Sequence, residues 1–201
     1  MRSTLASKIL FAILLLVSPA AHADQYEFDK EHTHIAFYVN HLGLSDMLGL
    51  FKSYDGNFKF DEKHPEQSTI DITLKPSGIE TSSKLLDHVL QGDNFFNTDK
   101  FPDIHFVSTS LKVTGDNTGD LTGDLTMLGV TKPLTLHVHY NKSAYSPVTN
   151  MYSSGFTADT TLKRSDFGMS YGIPMVGDEV RVEISTEGLD LDRKKAESLK
   201  H

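Results

Sequence analysis

Two histidine pairs, His32-Thr33-His34 and His137-Val138-His139, are the first residues of this chain whose types and spacing suggest chemistry. Two residues apart on a strand, both imidazoles of a pair point the same way, and two such pairs could hold zinc or copper. The neighbours argue against it. His34 alternates with Ile35 and Phe37, while His137 and His139 alternate with Leu136 and Val138, so both pairs fall on the solvent side of strands whose apolar side turns inward. The expectation is no bound metal and no cofactor. His41 differs because it shares a face with Phe37 and Val39, and it is expected as a hydrogen-bonded interior histidine rather than a catalyst. Cysteine is absent, which removes disulfides, thiolate metal sites and a Cys nucleophile. There is no G-x-S-x-G elbow, H-E-x-x-H helix, Walker loop or G-x-G-x-x-G turn.

The elements that must position these residues are strands. Residues 34–41 alternate, with Ile35, Phe37 and Val39 on one face. The same period recurs at Ile70, Ile72 and Leu74, at Ile104 and Phe106, at Leu121, Leu125 and Met127, at Leu134, Leu136, Val138 and Tyr140, and at Val180, Val182 and Ile184. Hairpin turns are expected at Gly115-Asp116-Asn117-Thr118-Gly119 and across residues 128–133, where Gly129 supplies positive φ and Pro133 should end a central strand. An antiparallel meander with one apolar face must close or stack two sheets, so a closed barrel or tight sandwich follows. One segment departs from period two: residues 81–92 place Leu85, Leu86, Val89 and Leu90 at helical spacing between Ser83 and Gly92, which predicts a short capped helix. Phe95 and Phe96 follow, suited to plugging one end.

The first 23 residues read as a secretory signal peptide: Arg2 and Lys8, an apolar run over residues 9–17, then Ala21-His22-Ala23. That run is too short for a transmembrane helix, and no later stretch approaches the roughly 18 apolar residues one needs. Cleavage after Ala23 leaves 17 basic residues against 27 acidic ones. Such an acidic chain lacks the basic footprint of a nucleic-acid binder. With 38% hydrophobic and 23% charged residues, it is expected as one exported, soluble domain over residues 24–191, with a solvated tail over residues 192–201. The leader fits the periplasm of a Gram-negative bacterium. A homodimer is compatible with this reading.

Large apolar side chains remain to be placed. Eleven of the 12 Phe lie beyond the leader, with no Trp, and Met127, Met169 and Met175 accompany them. The residues alone leave two readings equally open, a packed core or an apolar-ligand cavity walled by Phe and adaptable Met. The stretch from 50 to 61, about 12 residues and roughly 40 Å at strand rise, favours a deep barrel.

A series of blocks then points further. Asp29-Lys30-Glu31-His32-Thr33, Phe37-x-Val39-x-His41-Leu42-Gly43, Gly49-x-Phe51 and Tyr54-Asp55-Gly56 are followed by Thr81 with its helix, Asp93-x-Phe95-Phe96-Asn97 and Phe101-Pro102-x-Ile104-x-Phe106-x-Ser108-Thr109. Gly123-Asp124-Leu125-Thr126-Met127-x-Gly129-Val130-Thr131-Lys132-Pro133 and Arg164-x-Asp166-Phe167-Gly168-Met169 complete it. In this order, over residues 25–191, the series resembles the YceI-like family of lipocalin-like, polyisoprenoid-binding periplasmic proteins. The resemblance implies an all-β fold, an extended eight-stranded antiparallel barrel with a short helix near one end. It also implies a tunnel that holds a long isoprenoid or alkyl lipid for binding, storage or transport, and it supplies no catalytic residues. The expected walls are Phe37, Val39, Phe51, Phe58, Phe60, Phe106, Leu125, Met127, Leu136 and Val138. Leu86, Leu90, Phe95 and Phe96 are expected near a mouth. The alternative is an enzyme acting on a lipid or prenyl substrate in the same cavity, which would need His41 beside a buried carboxylate.

Overall fold

The computed structural model describes residues 23–147 and 150–193. Residues 1–22 of the expected leader and residues 194–201 of the expected tail lie outside it. Eleven strand segments form one sheet: β1 Asp24–Phe28, β2 His34–His41, β3 Ser45–Phe51, β4 Tyr54–Phe60, β5 Thr69–Leu74, β6 Ile79–Glu80, β7 Ile104–Gly115, β8 Thr118–Met127, β9 Val130–Ser146, β10 Met151–Lys163 and β11 Val176–Asp190. The helix α1 spans Lys84–Gln91. No helix among the described residues is long and apolar enough to cross a membrane.

Eleven segments reduce to eight staves. β11 pairs with β2 along Val176–Ser185 and with β1 along Gly188–Asp190, so β1 and β2 are two lengths of one strand, interrupted by the turn that carries Asp29 to Thr33. β3 pairs with β2 and β4 with β1, which makes these two a second broken stave. β5 pairs with β4 and the short β6 with β3, giving the third. β7 to β11 are the remaining five, and the β1–β11 pairing closes the barrel. Every pairing is antiparallel. Residues 50–61, expected as one strand, therefore belong to a longer stave broken at Lys52-Ser53, where the chain passes from its β2 partner to its β1 partner.

The β8–β9 turn is shorter than expected. It consists of Leu128 and Gly129 alone, both with positive φ (54° and 77°), and the ladder resumes at once with Met127 opposite Val130. Pro133 does not end the strand; it lies within β9, opposite Asp124. Its tolerance has a local cause, because β9 meets β10 only from His137 onward, and residues 130–136 have no ladder on that side. Without such a neighbour the missing proline N–H costs nothing. The β7–β8 hairpin turns at Asp116-Asn117, as expected.

α1 is capped by Ser83, whose side chain accepts from the Leu86 N–H. Its apolar stripe divides. Leu86 and Leu90 turn to the barrel, whereas Leu85 and Val89 stay exposed, and the buried residue of the helix is Asp87. Two tail residues are tied down rather than loose: Asp192 accepts from the Gln25 N–H, and Arg193 lies over the Tyr152 ring at 3.5 Å.

Inward faces line up around the barrel. Phe37 stands opposite Val182, which faces Thr160; Ile35 stands opposite Ile184, which faces Ala158 and then Val138. Two rings owe their orientation to glycine. Phe37 lies on its partner Gly49, where a Cβ would come within 2.2 Å of the ring, and Phe58 lies on Gly188 at the same distance. Only a residue with no side chain lets these rings lie flat against the wall.

Candidate functional site

The barrel encloses a tunnel of about 660 Å³. All fourteen residues expected to line it or to stand near its mouth are brought onto its surface: Phe37, Val39, Phe51, Phe58, Phe60, Phe106, Leu125, Met127, Leu136 and Val138 along its length, and Leu86, Leu90, Phe95 and Phe96 under α1. Sequence reasoning missed Ile35, Ile72, Leu121, Phe156 and the β11 residues Val180, Val182 and Ile184. Their signal was present in the alternation, which named most of their strands. It was weaker in β10, where Phe156 is spaced among Thr, Ser and Ala. Met175, left open between packed core and cavity wall, belongs to neither and is exposed on the loop that follows β10.

The two ends differ in chemistry. At the end formed by the β7–β8 hairpin and residues 62–68, a polar chain crosses the barrel. Tyr140 OH lies 3.1 Å from Glu62 Oε1 and 2.8 Å from Ser143 Oγ, Ser143 Oγ lies 2.7 Å from Ser154 Oγ, and Ser154 donates to Tyr26 OH at 3.1 Å. Burial pushes the Tyr26 hydroxyl up to about 12, so it stays protonated throughout the ordinary range. Beside it Asp190, fully buried, accepts from the Arg193 N–H and pairs with its guanidinium at 3.0 Å. Burial, with Asp190 close by, raises the Asp24 carboxyl.

The opposite mouth is apolar and is held by one cation. Arg164, 2% exposed, donates from Nε to Gly177 O (2.7 Å), from Nη1 to Met169 O (3.0 Å) and from Nη2 to Val176 O (2.9 Å). Desolvation lowers its pKa below the usual arginine value, and Asp178 opposes that shift. Three carbonyls, one from the loop before β11 and two from the start of β11, thus converge on one guanidinium, whose rigid fork suits them. His41 is exposed at this rim, not interior as expected, because alternation reports which face a residue takes and not how near the stave's end it lies. No buried carboxylate adjoins it. The carboxylates that line the tunnel, Glu62 and Asp116, are exposed at the far end. The pairing that lipid chemistry at His41 would require is not assembled among the described residues.

The histidine pairs do not converge on a metal. His137 and His139 are exposed and committed separately, Nδ1 of the first to Asp120 (2.8 Å) and of the second to Asn141 (3.0 Å). His32 sits in the β1–β2 turn rather than on a strand beside His34. Its ligand atoms, with those of Asp29 and Glu187, form a group lying within 4.8 Å of one another. Asp29 already accepts from the Glu31 N–H and from His32 Nδ1, both at 2.9 Å, so an ion there would have to break the second bond. For Asp29, burial works to raise the pKa, but the bonds from His32 and Glu31 outweigh it and leave it lowered; the hydrogen bond to Asp29 raises His32.

The signs of these shifts fix a pH window. The depressed Asp29 stabilises the fold above the ordinary carboxylate range and loses that effect as pH falls through its folded pKa. The raised His32 stabilises it below the ordinary histidine range, near 6.5, and loses the effect as pH rises through its folded pKa. His32→Ala should therefore lower the melting temperature more at pH 5.5 than at pH 9. Equal losses at both would remove the ion pair as the cause.

Residues 26–188 match the YceI-like domain family. Protein YceI of Salmonella agona is 38% identical over 181 residues, covering 89% of this chain and 94% of that protein. The crystal structure of the Campylobacter jejuni YceI protein superimposes with a TM-score of 0.67 at 29% identity, covering 75% of this chain and 89% of that one. A polyisoprenoid binding domain from Saccharophagus degradans has the same fold, with a TM-score of 0.63 at 11% identity over 82% of this chain and 98% of that one.

Proposed function

The chain belongs to the YceI-like family, and from its tunnel we propose that it is a periplasmic binding or carrier protein for one long apolar chain, a polyisoprenoid, an isoprenoid quinone or a fatty-acid-like lipid. One observation carries the reading: a through-barrel tunnel of about 660 Å³ whose walls are Phe, Leu, Ile, Val and Met. A packed core would leave no such volume at interior density. The Saccharophagus domain shares the fold, and its described ligand accords with the lining found here. The energetics need no directional contact. About ten buried methylenes at ~0.8 kcal/mol each give ~8 kcal/mol, enough for roughly micromolar binding where ordering costs are small. The leader-like segment ending at Ala23 supports export, and the wide separation of His41 from Glu62 supports binding without turnover.

Mass spectrometry of organic extracts from the purified protein tests this directly. The expected result is a single class of long-chain lipid near one equivalent. Extracts free of any apolar chain, from protein purified without detergent, would overturn the reading.

A further inference from the structure

Ten large apolar side chains are exposed among the described residues, and most of them belong to three segments around one mouth of the tunnel. The β2–β3 turn contributes Leu42 and Leu44, α1 contributes Leu85 and Val89, and the loop before β11 contributes Tyr171 and Met175. These segments touch. The Leu42 N–H donates to Met175 O at 2.7 Å, and the Tyr171 ring packs against Phe95 at 5.7 Å. Phe95 and Leu48 also line the tunnel, so the exposed rim runs without a break into the interior wall.

Folding does not call for this arrangement. Leu44 is 82% exposed and Leu85 74%, and neither adds to the core. Leu42 adopts φ 59°, a conformation that turns normally give to Gly, Asn or Asp, followed by Gly43 at 70°. A strained leucine at a solvent-facing tip signals a role outside the fold. The opposite end, where the Tyr140–Ser143–Ser154–Tyr26 polar chain lies, has no comparable rim.

We propose that this rim docks the barrel, mouth first, on the surface of a lipid bilayer that contains anionic lipid. The continuity of the rim with the apolar tunnel selects that occupant over a second copy, which would cap the mouth rather than supply an apolar chain. The exposed face of α1 presents Lys84 and His88 beside Leu85 and Val89, while Asp87 is turned inward, accepts from the Thr81 hydroxyl (2.7 Å) and N–H (2.6 Å), and lies 3.3 Å from Lys84 Nζ. Apolar residues flanked by an exposed lysine, on a helix lying across an opening, are what an interfacial element needs: the leucines enter the headgroup boundary and the lysine stays at phosphate level. A water-insoluble chain then moves between bilayer and tunnel without crossing water. The direction of transfer rests on the lipid-binding reading of the tunnel; docking itself does not.

The test is flotation of the purified protein with phosphatidylethanolamine–phosphatidylglycerol vesicles. Wild type should float with the vesicles. Leu44→Asp/Leu85→Asp should lower the partition coefficient about ten-fold or more, since each change removes an inserted side chain and adds a repelled charge. Its melting temperature and extracted lipid should match wild type, because neither leucine lies in the core. Tyr145→Asp, at the far end, should float as wild type does. The proposal falls if wild type stays in the aqueous fraction, if the double variant floats equally well, or if Tyr145→Asp is equally impaired. It falls also if light scattering shows a wild-type dimer that the double variant disperses while neither binds vesicles, which assigns the rim to a second copy. Flotation without extractable lipid would overturn the tunnel reading and uphold docking; extractable lipid without flotation would do the reverse.

Discussion

Val138→Phe should empty the tunnel while leaving the barrel folded. The position is suited to the test because the residues beside it are small: Val138 stands opposite Gly119 on β8 and Ala158 on β10, so nothing on the neighbouring staves blocks a ring from projecting into the lumen. A phenyl group there occupies the space of about three or four methylenes of a bound chain. At ~0.8 kcal/mol each, that removes ~3 kcal/mol of binding, roughly a 100-fold loss of affinity. In a filled core the same change overpacks, costing about 1–3 kcal/mol of stability. The two readings thus predict opposite pairs of results. Lipid extracted per mole should fall sharply for Val138→Phe, while delipidated wild type and variant melt within a few degrees of each other. A large drop in melting temperature with unchanged lipid content would mean that the space at Val138 is not a ligand's.

How much of this was legible in the sequence depends on which physical rule each residue obeyed. The wall residues Phe37, Val39, Phe106, Leu125 and Leu136 were readable because a half-buried strand alternates, and the observed registers align their inward faces. β10 was not read as a strand, since its inward positions include Ser154 and Thr160, buried polar residues that hide the period. Ser154 is explained by partners on other strands, Ser143 and Tyr26. His41 was assigned the correct face and the wrong depth. Pro133 was misread because its tolerance depends on where β10 stops pairing, which no local pattern records. On the helix only Leu86 and Leu90 were expected near a mouth, and the fold turns those two to the tunnel. The surplus pair, Leu85 and Val89, is where the proposed membrane contact begins.

Arg164→Met should destabilise the protein by about 3 kcal/mol, enough to lower the melting temperature by roughly 6–12 °C in a chain of this size. The block Arg164-x-Asp166-Phe167-Gly168-Met169 was readable as a motif, but its work appears only in three dimensions. The guanidinium gathers the Met169 carbonyl and, from the start of β11, those of Val176 and Gly177. Methionine fills similar volume yet donates nothing, so three carbonyls beside an apolar lumen lose their donor at once; losing the desolvation cost of the buried charge offsets only part of that. Ser165 would still hold Asp178 through its N–H and hydroxyl, at 2.9 and 2.8 Å, which keeps the start of β11 in place. The damage should therefore concentrate between residues 169 and 177. Hydrogen exchange there should rise well above that of β8, and Arg164→Lys should recover less than half of the lost stability, because one ammonium cannot span a fork of three acceptors. If Arg164→Met melts with wild type, the loop is held by its apolar contacts with the mouth, and the cation is dispensable to the fold.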